Sequence, residues 1–371
     1  MLSIIHIQDL KSLATYKEQW NDVLQKSNSN NIFLSYEWIS QWWQNFNNSN
    51  PLLILLALED GNLIGIAPLY LKSTKIPGFR TAQQVRLLAD KFVGSDFLDF
   101  IIIKNREAEV IPDLLKYLSD HFFWHHVYLD DYKSDSINLS ILQSVIKPFR
   151  LSSYIKTKSR CPYLILPDTI DAFLKLPDKT YKKIIQKKTV TKLYKEHDVK
   201  ILFSITASDL DMYLEKLFQL YSERWEYTSN KGMFNNPQIR DFFKNISGTL
   251  CKLGLLRLSA IVVDEEIMAM EYGMLHHDTY YSLQGGCSKK GLSLRAGTAL
   301  TFKIFESLIG QAHIFHYLRG EEPYKYKWGC VDSYTSSVQI WKGTHRIIMP
   351  AIHIYKDKIK TAIKKAKRTL F

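Results

Sequence analysis

Two carboxylates and three cations are packed into one short run of the sequence, residues 317–329. Glu321 and Glu322 lie between Arg319 and Lys325. A carboxylate can take a proton from an attacking group, and neighbouring cations can hold an anionic substrate. Ion pairing within the run is the structural alternative. We favour a functional role because the run follows an apolar strand pattern at 313–318, and sites in α/β proteins gather at the carboxyl ends of strands.

A glycine-rich segment precedes this run. An aromatic strand pattern at 280–283 leads into a predicted loop, and a helix pattern begins near its last glycine; Lys289, Lys290 and Arg295 lie close by. Small residues at a helix start let phosphate oxygens reach the unpaired backbone N–H groups. The segment therefore predicts a phosphate-binding site, with a purely structural turn as the alternative. The glycines of this loop are Gly285, Gly286, Gly291 and Gly297.

A third candidate is the end of the amphipathic helix pattern at 209–225. Arg224 and Trp225 close the apolar periodicity and are followed by a loop pattern at 226–234. We expect these two side chains to face a substrate, and a salt-bridged helix end is the alternative.

Positive charge is concentrated in two stretches. The net charge is +12, from 49 basic and 37 acidic residues. The stretch at 180–195 predicts either a solvated lysine face or a site for a polyanion such as tRNA, and DNA is not expected as a partner. The tail at 356–371 places apolar residues on one helical face, which is typical of a helix that lies on a membrane surface. A frayed basic tail is the alternative there.

Composition narrows the class of protein. The four cysteines are far apart, so neither a zinc site nor a disulfide framework is predicted, and no metal is expected. The N-terminus has no signal-peptide pattern. The longest aliphatic run, 52–58, is too short to cross a bilayer and predicts a buried strand. We expect a cytoplasmic protein, with peripheral attachment to the inner membrane surface left open.

The order of predicted elements indicates an α/β protein with mixed sheets. Hairpin patterns at 52–71 and 255–275 occupy matching places in the two halves, which suggests an internal repeat. The predicted domains are 1–150 and 160–345, joined near 148–165, followed by a basic tail at 346–371. In the first half, Trp38, Trp42 and Phe46 recur at helical spacing and are interpreted as core packing, with an aromatic cleft wall as the alternative.

Several motifs resemble one family of transferases. Phe33-Leu34-Ser35-x-Glu37-Trp38, Ser95-Asp96-x-Leu98-Asp99-Phe100, Phe218-x-x-Tyr221-x-x-Arg224-Trp225 and Leu318-Arg319-Gly320-x-Glu322-Pro323-Tyr324-Lys325-x-x-Trp328 are similar to the CelD/BcsL-like (BioF2-like) branch of the GNAT acyltransferase superfamily. The basic stretch at 181–195 also resembles the FemAB-like tandem GNAT transferases, which attach amino acids from charged tRNA. Leu294 stands where the general GNAT motif has Arg or Gln.

The resemblance implies tandem GNAT-like domains with the donor site in the second. Acetyl-CoA or another acyl-CoA would bind at the start of the Gly297 helix, and an amine or hydroxyl of a sugar or cell-envelope (exopolysaccharide) precursor would attack the thioester. The alternatives are an aminoacyl-tRNA donor and a non-catalytic basic scaffold. The implied base is Glu321 or Glu322, and the implied acid is Tyr281 or Tyr324. Donor-binding residues would be Gln284, Arg295, Gly297, Thr298 and Ala299. Acceptor-binding residues would be Arg224, Trp225, Arg319, Lys325 and Trp328.

Overall fold

A computed structural model describes residues 2–75, 81–176, 189–203, 207–225, 232–343, 346–355 and 359. In these residues, one mixed sheet of 13 strands runs through both halves of the chain, in the order β1-β2-β3-β4-β6-β13-β7-β12-β11-β10-β9-β8, with β5 paired to β3. The prediction of an α/β protein with mixed sheets is therefore confirmed.

The strands of the first half are β1 (Leu2–Ile7), β2 (Leu52–Glu59), β3 (Asn62–Thr74), β4 (Ala82–Leu87), β5 (Ile101–Ile102), β6 (His126–Lys133) and β7 (Ser152–Ile165). Its helices are α1 (Leu10–Ala14), α2 (Lys17–Gln25), α3 (Tyr36–Phe46), α4 (Glu107–His121) and α5 (Ile137–Ile146). Helix α3 begins at Tyr36 because the Ser35 side chain caps it, accepting a hydrogen bond from the Trp38 N–H.

The strands of the second half are β8 (Val199–Leu202), β9 (Leu256–Val263), β10 (Glu266–His276), β11 (Thr279–Cys287), β12 (Ile314–His316) and β13 (Val331–Trp341). Its helices are α6 (Ile170–Phe173), α7 (Thr191–Glu196), α8 (Leu210–Trp225), α9 (Pro237–Lys252), α10 (Lys289–Ser293), α11 (Ala296–Leu308) and α12 (Pro323–Lys327).

The two halves repeat the same strand order. In each, three antiparallel pairings are followed by a short parallel one, between β4 and β6 in the first half and between β11 and β12 in the second. The last strand of each half then pairs with the other half: β7 joins β12, and β13 joins β6. Because β7 and β13 also pair with each other along Val331–Trp341, the halves share a continuous backbone ladder.

Strand β7 changes the interpretation of the predicted junction. The segment at 148–165 was expected to join two domains, yet most of it is a long strand that belongs to the sheet of both halves. Boundaries at 150, 160 and 345 remain a prediction. Strand β5 is only two residues long, and isolated bridges from Leu98 to Tyr132 and from Ile103 to Ser27 lie on either side of it.

The aromatic stripe of α3 lies in the core. Trp38, Trp42 and Phe46 are buried, and the Trp38 indole donates to the Ser95 hydroxyl at 2.9 Å. The core-packing interpretation is therefore the one that the structure supports. The expectations for 180–188 and 356–358 and for 360–371 lie outside the described residues.

Candidate active site

A cleft opens where two parallel strands separate. Strands β11 and β12 pair only over Thr279–Tyr281, and beyond Tyr281 the rest of β11 has no strand partner on that side within the described chain. A cavity of about 520 Å³ lies in this gap, lined by Ser282 to Cys287 of β11, the start of α11 and the segment from Tyr317 to Trp328. The backbone N–H and C=O groups of β11 on this edge are suited to pair with an extended, amide-bearing ligand.

The start of α11 forms one wall of this cavity. Arg295, in the left-handed conformation at φ 56°, precedes the first turn and makes no side-chain capping bond. Arg295, Gly297 and Thr298 line the cavity, while Ala299 is fully buried behind them. The N–H groups of the first turn thus meet a solvent-accessible space at the positive end of the helix dipole, which suits a phosphate or another anion.

Two glycines of this segment, Gly286 and Gly291, allow neighbouring elements to pack closely rather than making a loop flexible. Gly285 and Gly286 lie in β11, so the predicted loop begins only after Cys287. A side chain at Gly286 would come within 2.6 Å of the Tyr221 backbone nitrogen of α8, and one at Gly291 within 2.6 Å of the Met268 carbonyl. Gly297 is different, because a Cβ there would meet only the Cys287 sulfur at 3.9 Å.

A buried carboxylate that the sequence analysis did not single out lies in the cavity wall. Glu271 of β10 lines the cavity and accepts a hydrogen bond from the Tyr280 hydroxyl at 3.0 Å. Burial raises the pKa of Glu271 from its ordinary 4.5 to about 7, against the opposing effect of hydrogen bonds from Ser282 and Tyr280. A carboxylate that titrates near neutrality is suited to general-base work. A charge in the middle of the apolar strand pattern at 267–275 is the signal that would have identified it.

The charged run at 317–329, which forms a rim of the cavity, is held by residues of the first half. The Arg319 guanidinium lies 2.7 Å from Asp96 and 3.1 Å from Asp131, and the Arg319 N–H donates to Asp96 at 2.8 Å. Asp96 is fully buried, and burial raises its pKa while the charge of Arg319 lowers it. The Arg319 side chain still lines the cavity. Its charge is balanced by carboxylates 223 and 188 residues away, so the second-half site is completed by the first half.

Lys325 and Glu322 form a second anchor of the rim. The Lys325 ammonium is buried, lies 2.8 Å from Glu322 and donates to the carbonyls of Tyr317, Arg319 and Gly320 at 3.2–3.4 Å. A buried ammonium satisfied in this way fixes the turn between β12 and α12. Lys325 therefore has a structural role, and its contact with an anionic acceptor stays a prediction.

The remaining predicted residues fall into three groups. Gln284, Glu322, Tyr324 and Trp328 line the cavity together with Lys325. Two others do not line it: Glu321 is exposed and lies 3.9 Å from Arg160, and Tyr281 is buried with its ring against Phe33. The side chains of Arg224 and Trp225 lie outside the described residues.

A second cavity of about 570 Å³ adjoins the first. Arg295 lines both, and the second is also lined by Ser293 and by Lys192, Lys195 and Glu196 of α7, with the Glu196 carboxylate 3.7 Å from the Lys192 ammonium. Positive side chains around a space next to the helix start are suited to a longer polyanionic ligand. In the described part of the chain, no group of His, Cys, Asp and Glu side chains could hold a metal ion, and no helix is long and apolar enough to cross a membrane.

Comparison with known proteins identifies the fold around these cavities. A model of the acetyltransferase (GNAT) domain matches residues 187–326. These residues contain the start of α11, Glu271 and most of the rim. A comparison with curated protein sequences finds no match.

Solved structures extend the similarity to almost the whole chain. The crystal structure of FemX aligns with a TM-score of 0.60 at 11% identity, over 91% of this chain and 96% of FemX. A conserved protein of unknown function from Bacteroides thetaiotaomicron aligns with 0.57 at 12% identity, over 92% of this chain and 100% of that one. The C-terminal domain of a putative lysylphosphatidylglycerol synthetase from Agrobacterium fabrum aligns with 0.54 at 9% identity, over 91% and 96%. Identities this low establish the fold alone.

Proposed function

We propose that this chain, whose residues 187–326 match the acetyltransferase (GNAT) domain and whose fold is shared with FemX, is a GNAT-type acyltransferase with an acyl-CoA as its donor. The choice of donor rests on one observation, which is that two features lie in the same cavity. The open edge of β11 offers backbone partners to an amide-bearing arm, and the uncapped start of α11 offers N–H groups to a pyrophosphate. Acetyl-CoA has both parts.

In the proposed reaction, an amine or hydroxyl of the acceptor attacks the thioester carbonyl carbon. The new C–N or C–O bond forms as the C–S bond breaks, and the acceptor proton passes to Glu271. The thiolate leaves with a proton from Tyr324, the one of the two predicted tyrosines that lines the cavity. Glu271 takes the role that the sequence analysis gave to Glu321 or Glu322, because its raised pKa keeps a useful fraction unprotonated at neutral pH while it remains a strong enough base.

For the acceptor, we propose a sugar or cell-envelope precursor of the exopolysaccharide type, and we place the enzyme in the cytoplasm with its acyl-CoA donor. The support is the resemblance of the rim sequence to the CelD/BcsL-like (BioF2-like) branch. Arg319 and Trp328 remain the proposed acceptor contacts in the described part of the rim.

An aminoacyl-tRNA donor is the second candidate, and the second cavity favours it. Lys192 and Lys195 would extend the positive surface beyond Arg295 along a polynucleotide. The solved structures that share this fold include FemX and the C-terminal domain of a lysylphosphatidylglycerol synthetase, an enzyme named for a lipid that carries lysine.

Mass spectrometry of the purified protein for bound CoA species, followed by thermal shift with acetyl-CoA, tests the first candidate. Gly297→Asp places a carboxylate where the pyrophosphate would bind, in space that a Cβ does not fill. The negative charge stabilises the start of the helix by about 0.3–1 kcal/mol. We therefore expect a folded variant whose unfolding temperature no longer rises with acetyl-CoA. Gly297→Ala keeps every N–H group and is the matched control that retains the shift.

The tRNA candidate makes a different prediction for the same proteins. If it holds, wild type shows no shift with acetyl-CoA, and binds charged tRNA with an affinity that falls as salt rises. Lys192→Ala combined with Lys195→Ala would then weaken tRNA binding. Under the first candidate this double variant keeps its shift with acetyl-CoA.

A further inference from the structure

A helix near the C-terminal end presents its apolar face to solvent. Residues 346–355 are helical, and Ile347, Ala351 and Ile354 form one row along the helix, spaced by four and three residues. A second row, one residue on, is Ile348, Ile352 and Tyr355. Rows at these spacings share a face of an α-helix. The exposed fractions are 73% for Ile347, 55% for Ile348, 47% for Ile354 and 67% for Tyr355.

The opposite side of this helix is the one that docks on the protein. The His353 ring lies 5.5 Å from Tyr154 of β7 and 5.4 Å from Trp341 of β13, and Met349 and Pro350 are half-buried. Arg346 at the start of the helix donates to the Arg150 carbonyl at 2.9 Å. These contacts keep the two apolar rows turned away from the sheet. Surface helices of globular proteins normally show the reverse arrangement, with the apolar rows on the core.

A further exposed ring lies near the same end of β13. Phe123 is 70% exposed, and the Lys342 ammonium lies 5.9 Å from its centroid and 4.4 Å from that of Trp124. Lys342 follows β13 directly and precedes the helix by a few residues. The exposed apolar side chains are therefore accompanied by basic groups from Lys342 and Arg346.

We infer that this apolar face, residues 347–355 together with Phe123, binds the surface of a bilayer containing anionic lipid. The apolar rows would enter the boundary between headgroups and acyl chains, and the basic groups would remain among the headgroups. The sequence that follows the helix, from Lys356 to Arg368, adds seven basic residues and one acidic residue. Each basic residue near an anionic surface adds to the attraction.

Charge argues for lipid over a second copy of the chain. Two copies that met through this face would bring two strongly basic segments together, and like charges at an interface oppose association. An anionic bilayer neutralises the same charges. The inference concerns a surface remote in sequence from the donor cavity and does not depend on which donor is used.

Co-sedimentation with vesicles tests this surface. The full chain is expected to sediment with vesicles of equal parts phosphatidylcholine and phosphatidylglycerol, less at high salt, and not with phosphatidylcholine alone. Ile347→Gln combined with Ile354→Gln keeps good helix formers and removes apolar area, so we expect its partition to fall about tenfold or more. Met212→Gln, at a methionine of α8 that is 61% exposed, is the matched control and should bind as wild type does.

Three results would overturn the inference. The first is the absence of sedimentation of wild type with the phosphatidylglycerol vesicles. The second is equal binding by the double variant and wild type, with both folded as judged by unchanged unfolding temperatures. The third is a dimer seen by light scattering in wild type and lost in the double variant, which would assign the face to a second copy. In the full chain, Lys364→Gln combined with Lys365→Gln should weaken the preference for phosphatidylglycerol, and an unchanged preference would contradict the role of the basic residues.

Discussion

The Tyr280 hydroxyl reaches Glu271 by passing directly over Gly273. The hydroxyl oxygen donates to Glu271 Oε1 at 3.0 Å, and a Cβ placed on Gly273 would lie 1.9 Å from that same oxygen. Strand β10 has an irregular register between Tyr272 and Gly273, which is a common feature beside active sites. Three residues of two neighbouring strands therefore determine where the buried carboxylate lies and what it is bonded to.

Replacement of Glu271 tests its role as the base. Glu271→Gln keeps the shape and can still accept a hydrogen bond from Tyr280, but it cannot take a proton, so we expect acyl transfer to fall by about 10²–10⁴-fold. In the wild type, kcat/KM should rise with pH through about 7, because the base works only when unprotonated. The variant should lack that rise. Glu321→Gln, at an exposed position away from the cavity, is the control. If Glu322→Gln lowers acyl transfer more than Glu271→Gln does, the base is Glu322 of the rim and not Glu271.

The same carboxylate predicts how stability changes with pH. Folding raises the pKa of Glu271 from 4.5 to about 7, so the folded state holds the proton more tightly than the unfolded chain. Its contribution to the free energy of unfolding is therefore present below pH 4.5 and is lost as pH rises through about 7, by about 3 kcal/mol. Glu271→Gln removes this loss. Urea unfolding of both proteins should show that the variant becomes more stable relative to wild type as pH rises across that window. A difference in the free energy of unfolding that stays constant with pH would contradict the raised pKa.

Gly273 is expected to tolerate no side chain. Gly273→Ala would push the Tyr280 ring away from Glu271, so both stability and activity should fall, by about 1–3 kcal/mol in unfolding free energy for the overpacking. Gly248→Ala is the matched control, because a Cβ there meets nothing within 4 Å and Ala is the better helix former in α9. The free energy of unfolding of that control should rise by about 0.5–1 kcal/mol. Equal behaviour of the two variants in thermal unfolding would contradict the close packing at Gly273.

The ion pair between the halves is expected to be strongly coupled. Asp96→Asn leaves the Arg319 guanidinium, whose side chain is about one-third exposed, with Asp131 as its remaining carboxylate partner, and the loss of a charged hydrogen-bond partner costs about 1–3 kcal/mol. A double-mutant cycle with Arg319→Gln measures the coupling. Glu109→Gln, whose partner Arg106 is near the surface, should cost about 0–1 kcal/mol. Additivity of Asp96→Asn and Arg319→Gln would show that the pair does not hold the rim.

Local patterns in the sequence predicted much of the second-half site. The helix start at Gly297, the end of β12 and the charged rim all lie at the same cavity, and Gln284, Arg295, Thr298, Glu322, Tyr324, Lys325 and Trp328 are in its lining. Such features are readable because helix starts, strand ends and turns depend on residues close in the chain. The GNAT resemblance and the mixed α/β class rest on the same kind of local signal, and both are confirmed.

Other features depended on contacts between distant parts of the chain. The partners that Asp96 and Asp131 provide for Arg319 are far away in sequence, and the exchange of β7 and β13 between the halves follows from sheet pairing that no local pattern encodes. Burial decides the rest, because the pKa of Glu271 depends on how completely neighbouring strands and helices remove water from it. The sequence by itself determined the resemblance to the GNAT superfamily and the local features that meet at the cavity. Only the tertiary structure decided which carboxylate is tuned towards neutral pH and which charges are already paired, since desolvation and pairing are properties of the packed chain.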